Sequence, residues 1–241
     1  MADHRLLIIV PAYNEAGNIG QTVREIQNFA VPVKEFQIVV IDDGSKDATC
    51  QEARATSTKV VRLPFNLGIG GAVQTGFRYA LRHGFDLAVQ IDGDGQHDVT
   101  FLPQLLAPVL KKEADIVVGS RFIGPYQGYR SSFVRRIGIH FFAELISWLT
   151  GFKITDPTSG FRLYNERAIR ILAENYPQDY PEPESIVMAQ RYGLKLLEVP
   201  VQMRRRAAGH SSIRYLMTLY YMIKVTLAII LRRLTQPVRS E

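Results

Sequence analysis

Three carboxylates stand close together in the run Asp92-Gly93-Asp94-Gly95-Gln96-His97-Asp98, directly after the apolar Leu87-Ala88-Val89. Charges of one sign packed this densely repel unless something positive sits between them. Two aspartates at i and i+2 where a strand ends point the same way. A hard divalent cation with coordination sites to spare would relieve their repulsion, and Mg²⁺ typically takes one or two carboxylates plus substrate phosphates. Asp92 and Asp94 are therefore candidate metal ligands, with Gln96 adding a neutral oxygen. Mg²⁺ and Mn²⁺ both suit oxygen donors. Gly93 and Gly95 let backbone approach a ligand closely. An isolated Asp-x-Asp pair is a weak signal, so its neighbours carry the weight.

Other residues with chemistry fall in similar places. Asp42 and Asp43 can hydrogen-bond a base or a ribose; a turn closed by an Asx motif is the alternative. Arg121, Arg135 and Arg206 are candidate phosphate ligands, because a guanidinium fork matches phosphate oxygens. The run Asn66-Leu67-Gly68-Ile69-Gly70-Gly71-Ala72 looks like a dinucleotide fingerprint but fails it, since the third required glycine position holds Val73. Tight packing at a helix start is the simpler use of those glycines. No Walker A lysine motif is present.

These groups need elements to position them. Short apolar runs at Leu6–Pro11, Gln37–Ile41, Lys59–Leu63, Asp86–Ile91 and Asp115–Gly119 read as strands. Helical spacing fills the intervals: Gly17–Phe29, Asp47–Ala55 with Asp47 as N-cap, Ile69–His83 and Thr100–Lys112. Near-continuous apolar strands alternating with helices predict an α/β fold with a mostly parallel central sheet, covered on both faces. Ligands in such sheets bind outside the carboxyl ends of the strands. Four strand ends carry polar, acidic or glycine-rich clusters: Pro11-Ala12-Tyr13-Asn14-Glu15, Asp42-Asp43-Gly44-Ser45, Asp92-Gly93-Asp94 and Gly119-Ser120-Arg121. Further on, Phe133–Thr150 reads as a helix and Thr155–Gly160 as a loop. Phe161–Tyr164 reads as strand, Glu166–Glu174 as helix, Tyr180–Glu184 as a rigid turn opening another helix, and Leu194–Met203 as strand.

The 241 residues suit one sizeable domain. Leu6 to Val10 is too short for the apolar region of a signal peptide. The single cysteine, Cys50, fits a reducing compartment, so a cytoplasmic location is expected. The net charge of +6 is unevenly spread. No acid lies between Asp115 and Glu144, where Arg121, Arg130, Arg135 and Arg136 stand, and the chain is basic again from Arg204 onwards. Such segments suit an anionic partner. No nucleic-acid-binding motif is present, so no nucleic acid is expected. Leu216 to Leu231 is mostly apolar, with Lys224 in the middle. It is shorter than the roughly 20 apolar residues a spanning helix needs. An amphipathic helix in the membrane interface, peripheral to the membrane, is the expectation; a core-packed helix is the alternative.

Taken in order, the four strand-end clusters, Gln96-His97 and Asp156-Pro157-Thr158-Ser159-Gly160-Phe161-Arg162 resemble the motif series of family-2 glycosyltransferases, nearest the branch acting on dolichyl and polyprenyl phosphates. The resemblance runs from residue 6 to about 212. It implies a GT-A fold over residues 1–212, followed by an interface helix and tail at 213–241. It implies an inverting, metal-dependent transfer from a nucleotide-sugar to a polyprenyl phosphate at the cytoplasmic membrane face. On this likeness Pro11, Tyr13, Glu15, Ile41, Asp42, Asp43, Asp92 and Gly93 hold the donor. Asp92, Asp94 and Gln96 serve the metal, Mg²⁺ or Mn²⁺, and Arg121, Arg135 and Arg206 grip phosphates. Asp94 and Asp156 are the catalytic candidates, Asp156 as base or orienter. The helices at 133–150 and 213–234 match the family's interface helices. Short relatives that work with a small membrane-protein partner make such a partner an expectation too. Where many relatives have Ser-Lys, this chain has Gly209-His210-Ser211-Ser212, one cation fewer. Transfer to a glycan or protein hydroxyl, and a non-catalytic nucleotide-sugar-binding subunit, are the alternatives.

Overall fold

The fold is that of a computed structural model, which describes residues 2–124, 133–204 and 224–227. Up to residue 204, the described residues form seven strands and seven α-helices: β1 Ala2–Ala12, α1 Ile19–Asn28, β2 Val33–Asp42, α2 Thr49–Ala55, β3 Lys59–Arg62, α3 Gly68–Arg82, β4 Leu87–Gln90, α4 Leu102–Leu110, β5 Ile116–Ser120, α5 Phe133–Thr150, β6 Arg162–Asn165, α6 Glu166–Asn175, α7 Pro181–Arg191 and β7 Leu196–Pro200. The strands form one sheet in the order β3-β2-β1-β4-β6-β5-β7. All neighbours are parallel except β6, which runs antiparallel to both β4 and β5.

The middles of β1, β2, β4 and β5 are apolar because both faces of the sheet are covered there. Leu7, Ile9, Val39, Ile41, Ala88 and Val118 point into a core roofed by α3, α5, α6 and α7. Leu6, Ile8, Val10, Val40, Leu87 and Val117 point the other way, onto α1, α2 and α4. Alternate residues of one strand thus serve opposite cores, the period of two expected of an extended chain.

Expected and observed elements agree in order, with differences at their edges. β1 begins earlier than Leu6, because its polar start pairs Ala2 with Val33 and Arg5 with Glu35 across a bulge. β7 stops at Pro200 rather than Met203; Met203 instead bridges His97. Helix α2 has Ala48 at its N-cap, not Asp47. Asp47 still accepts from the Thr49 N–H, and its other oxygen accepts from the Ala16 N–H, so it ties two loops together. Residues 224–227 are helical, and Val225 is buried in the core that also contains residues of α3 and α5. The rest of the expected 213–234 helix lies outside the described residues.

Gly70 and Gly71 at the start of α3 serve close packing, as the failed fingerprint suggested, whereas a Cβ on Gly68 would meet nothing within 4 Å and its φ is +82°. A Cβ on Gly70 would lie 2.3 Å from the Pro177 carbonyl oxygen and 2.5 Å from that of Gln178. Both obstacles are backbone and cannot swing aside. Gly70→Ala is expected to cost about 1–3 kcal/mol, the usual price of overpacking, read as a lower thermal midpoint. An unchanged midpoint would mean the 177–178 segment yields freely.

Candidate active site

Strand order and register line the polar clusters up along a single edge. β1 and β2 end together, with Ala12 opposite Asp42. The chain leaving β4 stays beside β1, where Ile91 N–H donates to the Ile9 carbonyl (3.0 Å) and Gly93 N–H to that of Pro11 (3.2 Å). Because β6 is antiparallel, its beginning lies at this same edge, with Arg162 opposite Gln90 on one side and Val118 on the other. Across the edge the order is therefore Asp42-Asp43, Ala12-Tyr13, Asp92, Gly160-Arg162, and then Ser120-Arg121.

At the β1–β2 end two loops are laced together. Asn14 N–H donates to Ser45 Oγ (3.0 Å) and Glu15 N–H to Thr49 Oγ1 (2.7 Å), and Asn14 Oδ1 accepts from Lys46 N–H (3.0 Å). Pro11 and Ile41 are buried beneath, while Tyr13 is 42% exposed. Glu15 accepts from Asn18 Nδ2 at 3.0 Å. The two aspartates divide the work. Asp42 is fully buried; its Oδ1 accepts from Ser45 N–H (3.0 Å) and its Oδ2 faces Arg62 Nε (3.3 Å). That bond to Ser45 is the turn reading. Asp43 accepts from Leu67 N–H (2.7 Å) and Gly68 N–H (2.9 Å) at the start of α3. Burial pushes its carboxyl up, Asp42 adds to the shift, and the two N–H donors oppose it.

The acidic loop at the centre is rigidly supported. Asp92 Oδ1 accepts from Gln90 Nε2 (3.0 Å), and the Asp92 N–H donates to His97 Nδ1 (3.0 Å). That bond places the His97 ring proton on Nε2, which faces Asp92 Oδ2 at 3.6 Å. The His97 ring stacks on Phe161 with centroids 5.0 Å apart. Asp94 Oδ1 accepts from the Gln96 N–H (3.0 Å) across Gly95, whose φ of +75° a side chain would resist. Gln96 directs its amide nitrogen to the Arg204 carbonyl at 3.4 Å. Arg204 in turn pairs with Glu25 (2.6 Å) and Asp98 (2.9 Å).

Among the described residues no group of three or more His, Cys, Asp and Glu side chains is placed to hold a cation by itself. Two carboxylates and an amide oxygen on one tight loop still fit a cation that arrives with a diphosphate and keeps substrate oxygens in its shell. Asp94 and Gln96 are the residues that would hold it, with Asp92 beside them.

Beyond Asp92 the edge is closed by an ion pair. Arg121 Nε donates to Asp156 Oδ2 (2.6 Å) and Nη2 to Oδ1 (2.7 Å), and Nη2 also reaches Thr158 Oγ1 (2.8 Å). The Asp156 side chain is fully buried and that of Arg121 is 16% exposed. A carboxylate so enclosed orients its partner and is poorly placed to take a proton from an arriving substrate. The Arg121 fork is directed to Asp156 in this structure. Behind them Glu198 accepts from the Thr155 N–H (2.8 Å), the Thr155 hydroxyl (2.6 Å) and the Asp156 N–H (2.9 Å). Burial pushes the Glu198 carboxyl up, against those three bonds. Arg135 is on α5, but its side chain lies outside the described residues, as does all of Arg206.

Sequence reasoning passed over His97, Arg162 and Glu198 as site residues. The first two stand inside motifs it quoted, but a lone histidine or arginine most often has a bland role. Nothing local marks Glu198, whose partners are more than forty positions away.

The family profile described as "Glycosyl transferase family 2" matches residues 7–172. An "Undecaprenyl-phosphate mannosyltransferase" of Micrococcus luteus is 31% identical over 225 residues, covering 86% of this chain and 86% of that one. A "UDP-N-acetylglucosamine--dolichyl-phosphate N-acetylglucosaminyltransferase" of Methanococcus voltae is 30% identical over 221 residues, covering 84% and 86%. Among solved structures, the glucosyl-3-phosphoglycerate synthase of Mycobacterium tuberculosis, in complex with Mn²⁺, UDP-glucose and phosphoglyceric acid, superposes with a TM-score of 0.72. It is 24% identical, with 97% of this chain and 81% of that one covered, and so speaks for the fold alone.

Proposed function

The chain belongs to glycosyltransferase family 2 and has the GT-A fold, and from that premise we propose that it moves a sugar from a nucleotide-sugar to a polyprenyl phosphate, with inversion and with help from Mg²⁺ or Mn²⁺. The observation that carries this reading is the edge itself. The Asp92–Asp94 loop lies between the laced β1–β2 loops and the Arg121–Asp156 pair, so the groups proposed for donor, metal and acceptor stand in one row. The names of the lipid-phosphate relatives supply the acceptor class.

In this reading Tyr13, Glu15 and Asp43 hold the nucleoside over buried Pro11 and Ile41, and Asp42 holds the turn. Asp92 and Gly93 border the sugar, and Asp94 and Gln96 hold the metal. A bound divalent ion would neutralise the departing diphosphate. The acceptor, a phosphate monoester with a second pKa of about 6, is largely ionised at neutral pH. The chain therefore needs to orient the acceptor more than to deprotonate it, which suits an Asp156 enclosed by Arg121. Arg121, Arg135 and Arg206 are the residues proposed for phosphate.

A lipid acceptor also asks for a surface against the membrane. Helix α5 has Ile137, Phe141 and Trp148 at helical spacing, exposed by 53%, 45% and 81%. An apolar stripe that includes a largely exposed tryptophan suits the headgroup boundary. No helix among the described residues is long and apolar enough to cross a bilayer.

The deciding experiment is a donor screen. The chain is incubated with Mn²⁺ or Mg²⁺, undecaprenyl phosphate in detergent and each common nucleotide-sugar, and glycolipid is sought by mass spectrometry. One donor is expected to give product, which fixes sugar and base together. Release of nucleoside diphosphate without glycolipid would overturn the acceptor. Repeating the assay in liposomes, with and without membrane proteins of the source cell, tests the small-partner idea; equal turnover removes it.

A further inference from the structure

Arg162 is among the largest fully buried side chains in the chain, at 1% exposure. Its fork is fully engaged. Nε donates to the Ser159 carbonyl (2.7 Å) and Nη2 to that of Pro157 (3.0 Å); Nη1 donates to the Glu182 carbonyl (2.8 Å) and to Ser185 Oγ (2.9 Å). One guanidinium thus joins the 157–159 turn to the first turns of α7. Burying a cation is costly, and a well-packed apolar residue would often serve stability as well. The geometry shows what the charge is placed to do.

The turn it grips bears on two parts of the site. At one end is Asp156, paired with Arg121. At the other is Gly160, which presses against the acidic loop. A Cβ there would lie 2.8 Å from Gln90 Nε2 and 3.2 Å from Asp92 Oδ2, so the backbone of the turn forms the wall behind the Asp92 carboxylate. Arg162 also sits among charges. Burial pushes the Glu182 carboxyl up, Arg162 opposes that shift and Asp92 adds to it, so the two carboxylates feel each other with the guanidinium close by. The Tyr164 phenol, pushed up to about 12 chiefly by burial, is also held down in part by Arg162.

We propose that Arg162 is the positioning residue that sets Asp92 and the Arg121–Asp156 pair in one frame for sugar transfer. It touches no substrate and acts through the turn. Lysine could restore the charge but not a planar fork with four partners. The inference rests on the site being a transfer centre, and it adds a residue that the family likeness does not assign.

The test compares Arg162→Met, Arg162→Lys and the milder Ser185→Ala, which removes one of the four bonds. Transfer to lipid and slow donor hydrolysis without acceptor are both measured per folded molecule, with the folded fraction taken from circular dichroism. Outer supports of this kind are worth roughly 10–100-fold, so Arg162→Met is expected to lose about that much in kcat with little change in donor KM. Arg162→Lys is expected to fall between it and the parent, and Ser185→Ala to lose only a few-fold. Full kcat per folded Arg162→Met molecule would overturn the proposal, as would Arg162→Lys no better than Arg162→Met. If Arg162→Met does not fold, Arg162→Lys decides: a kcat at the parent level overturns the proposal, and a reduced kcat at unchanged KM supports it. A parent chain that hydrolyses donor but transfers nothing to lipid refutes the acceptor reading, and Arg162 is then judged on hydrolysis alone.

Discussion

Asp94→Asn is expected to lower metal-dependent transfer by roughly 100–1,000-fold, since a metal's charge stabilisation is worth several kcal/mol and each tenfold is about 1.4 kcal/mol. The fold should be untouched. Asparagine keeps the Oδ1 that accepts from the Gln96 N–H, so the tight loop across Gly95 can close as before. The expected loss is one negative charge on the loop proposed to hold the cation. Rates measured against Mg²⁺ and Mn²⁺ concentration, beside a thermal melt, separate the cases. An unchanged midpoint with rates that do not recover at saturating metal is the expected pair of results. Full activity at high Mg²⁺ would remove Asp94 from the metal site.

Asp156→Asn should act first on stability. Removing one partner of a buried ion pair costs about 3–5 kcal/mol, because the other charge is left enclosed without compensation. With 2–4 °C of midpoint per kcal/mol in a domain of this size, a fall of about 10 °C is expected. The fall is expected whichever role Asp156 has, since the ion pair is lost in either case; an orienting carboxylate adds loss of transfer as the Arg121 fork drifts. Combining Asp156→Asn with Arg121→Met gives a double-mutant cycle, in which a destabilisation well below the sum would measure the pair directly.

The parallel half of the fold was open to reading because buried strands declare themselves by uninterrupted apolar runs, and because helical spacing fills the gaps between them. The direction of β6 was not. Arg162-Leu163-Tyr164-Asn165 looks the same from either end, and only its neighbours decide which way it runs. The acidic loop could be found from chemistry alone, since carboxylates this close in sequence at a strand end stand out. The ion pair of Arg121 with Asp156 could not, because the two are 35 positions apart and each had a separate errand in the sequence. The same limit hid Glu198. Its bonds to Thr155 and Asp156 depend on β7 lying beside β5, a fact of sheet order that no local pattern records. Asp42 was legible as one of two things, and the structure shows the bond to Ser45 that the turn needs.

The place of β6 has a consequence for how the chain is made. A ribosome releases β1 to β4 first, and β3, β2, β1 and β4 are already consecutive in the sheet. β5 comes next but has no seat beside them, since its neighbours are β6 and β7, both still unsynthesised. From the emergence of Ser120 until about Asn165, the nascent chain therefore shows two bare strand borders, the outer side of β4 and the whole of apolar β5. Unpaired borders of that kind invite strands from other chains. Insertion of β6 between them pairs the border of β4 with one side of β5 and brings Arg162 to the edge, and the other side of β5 stays bare until β7 arrives with Glu198.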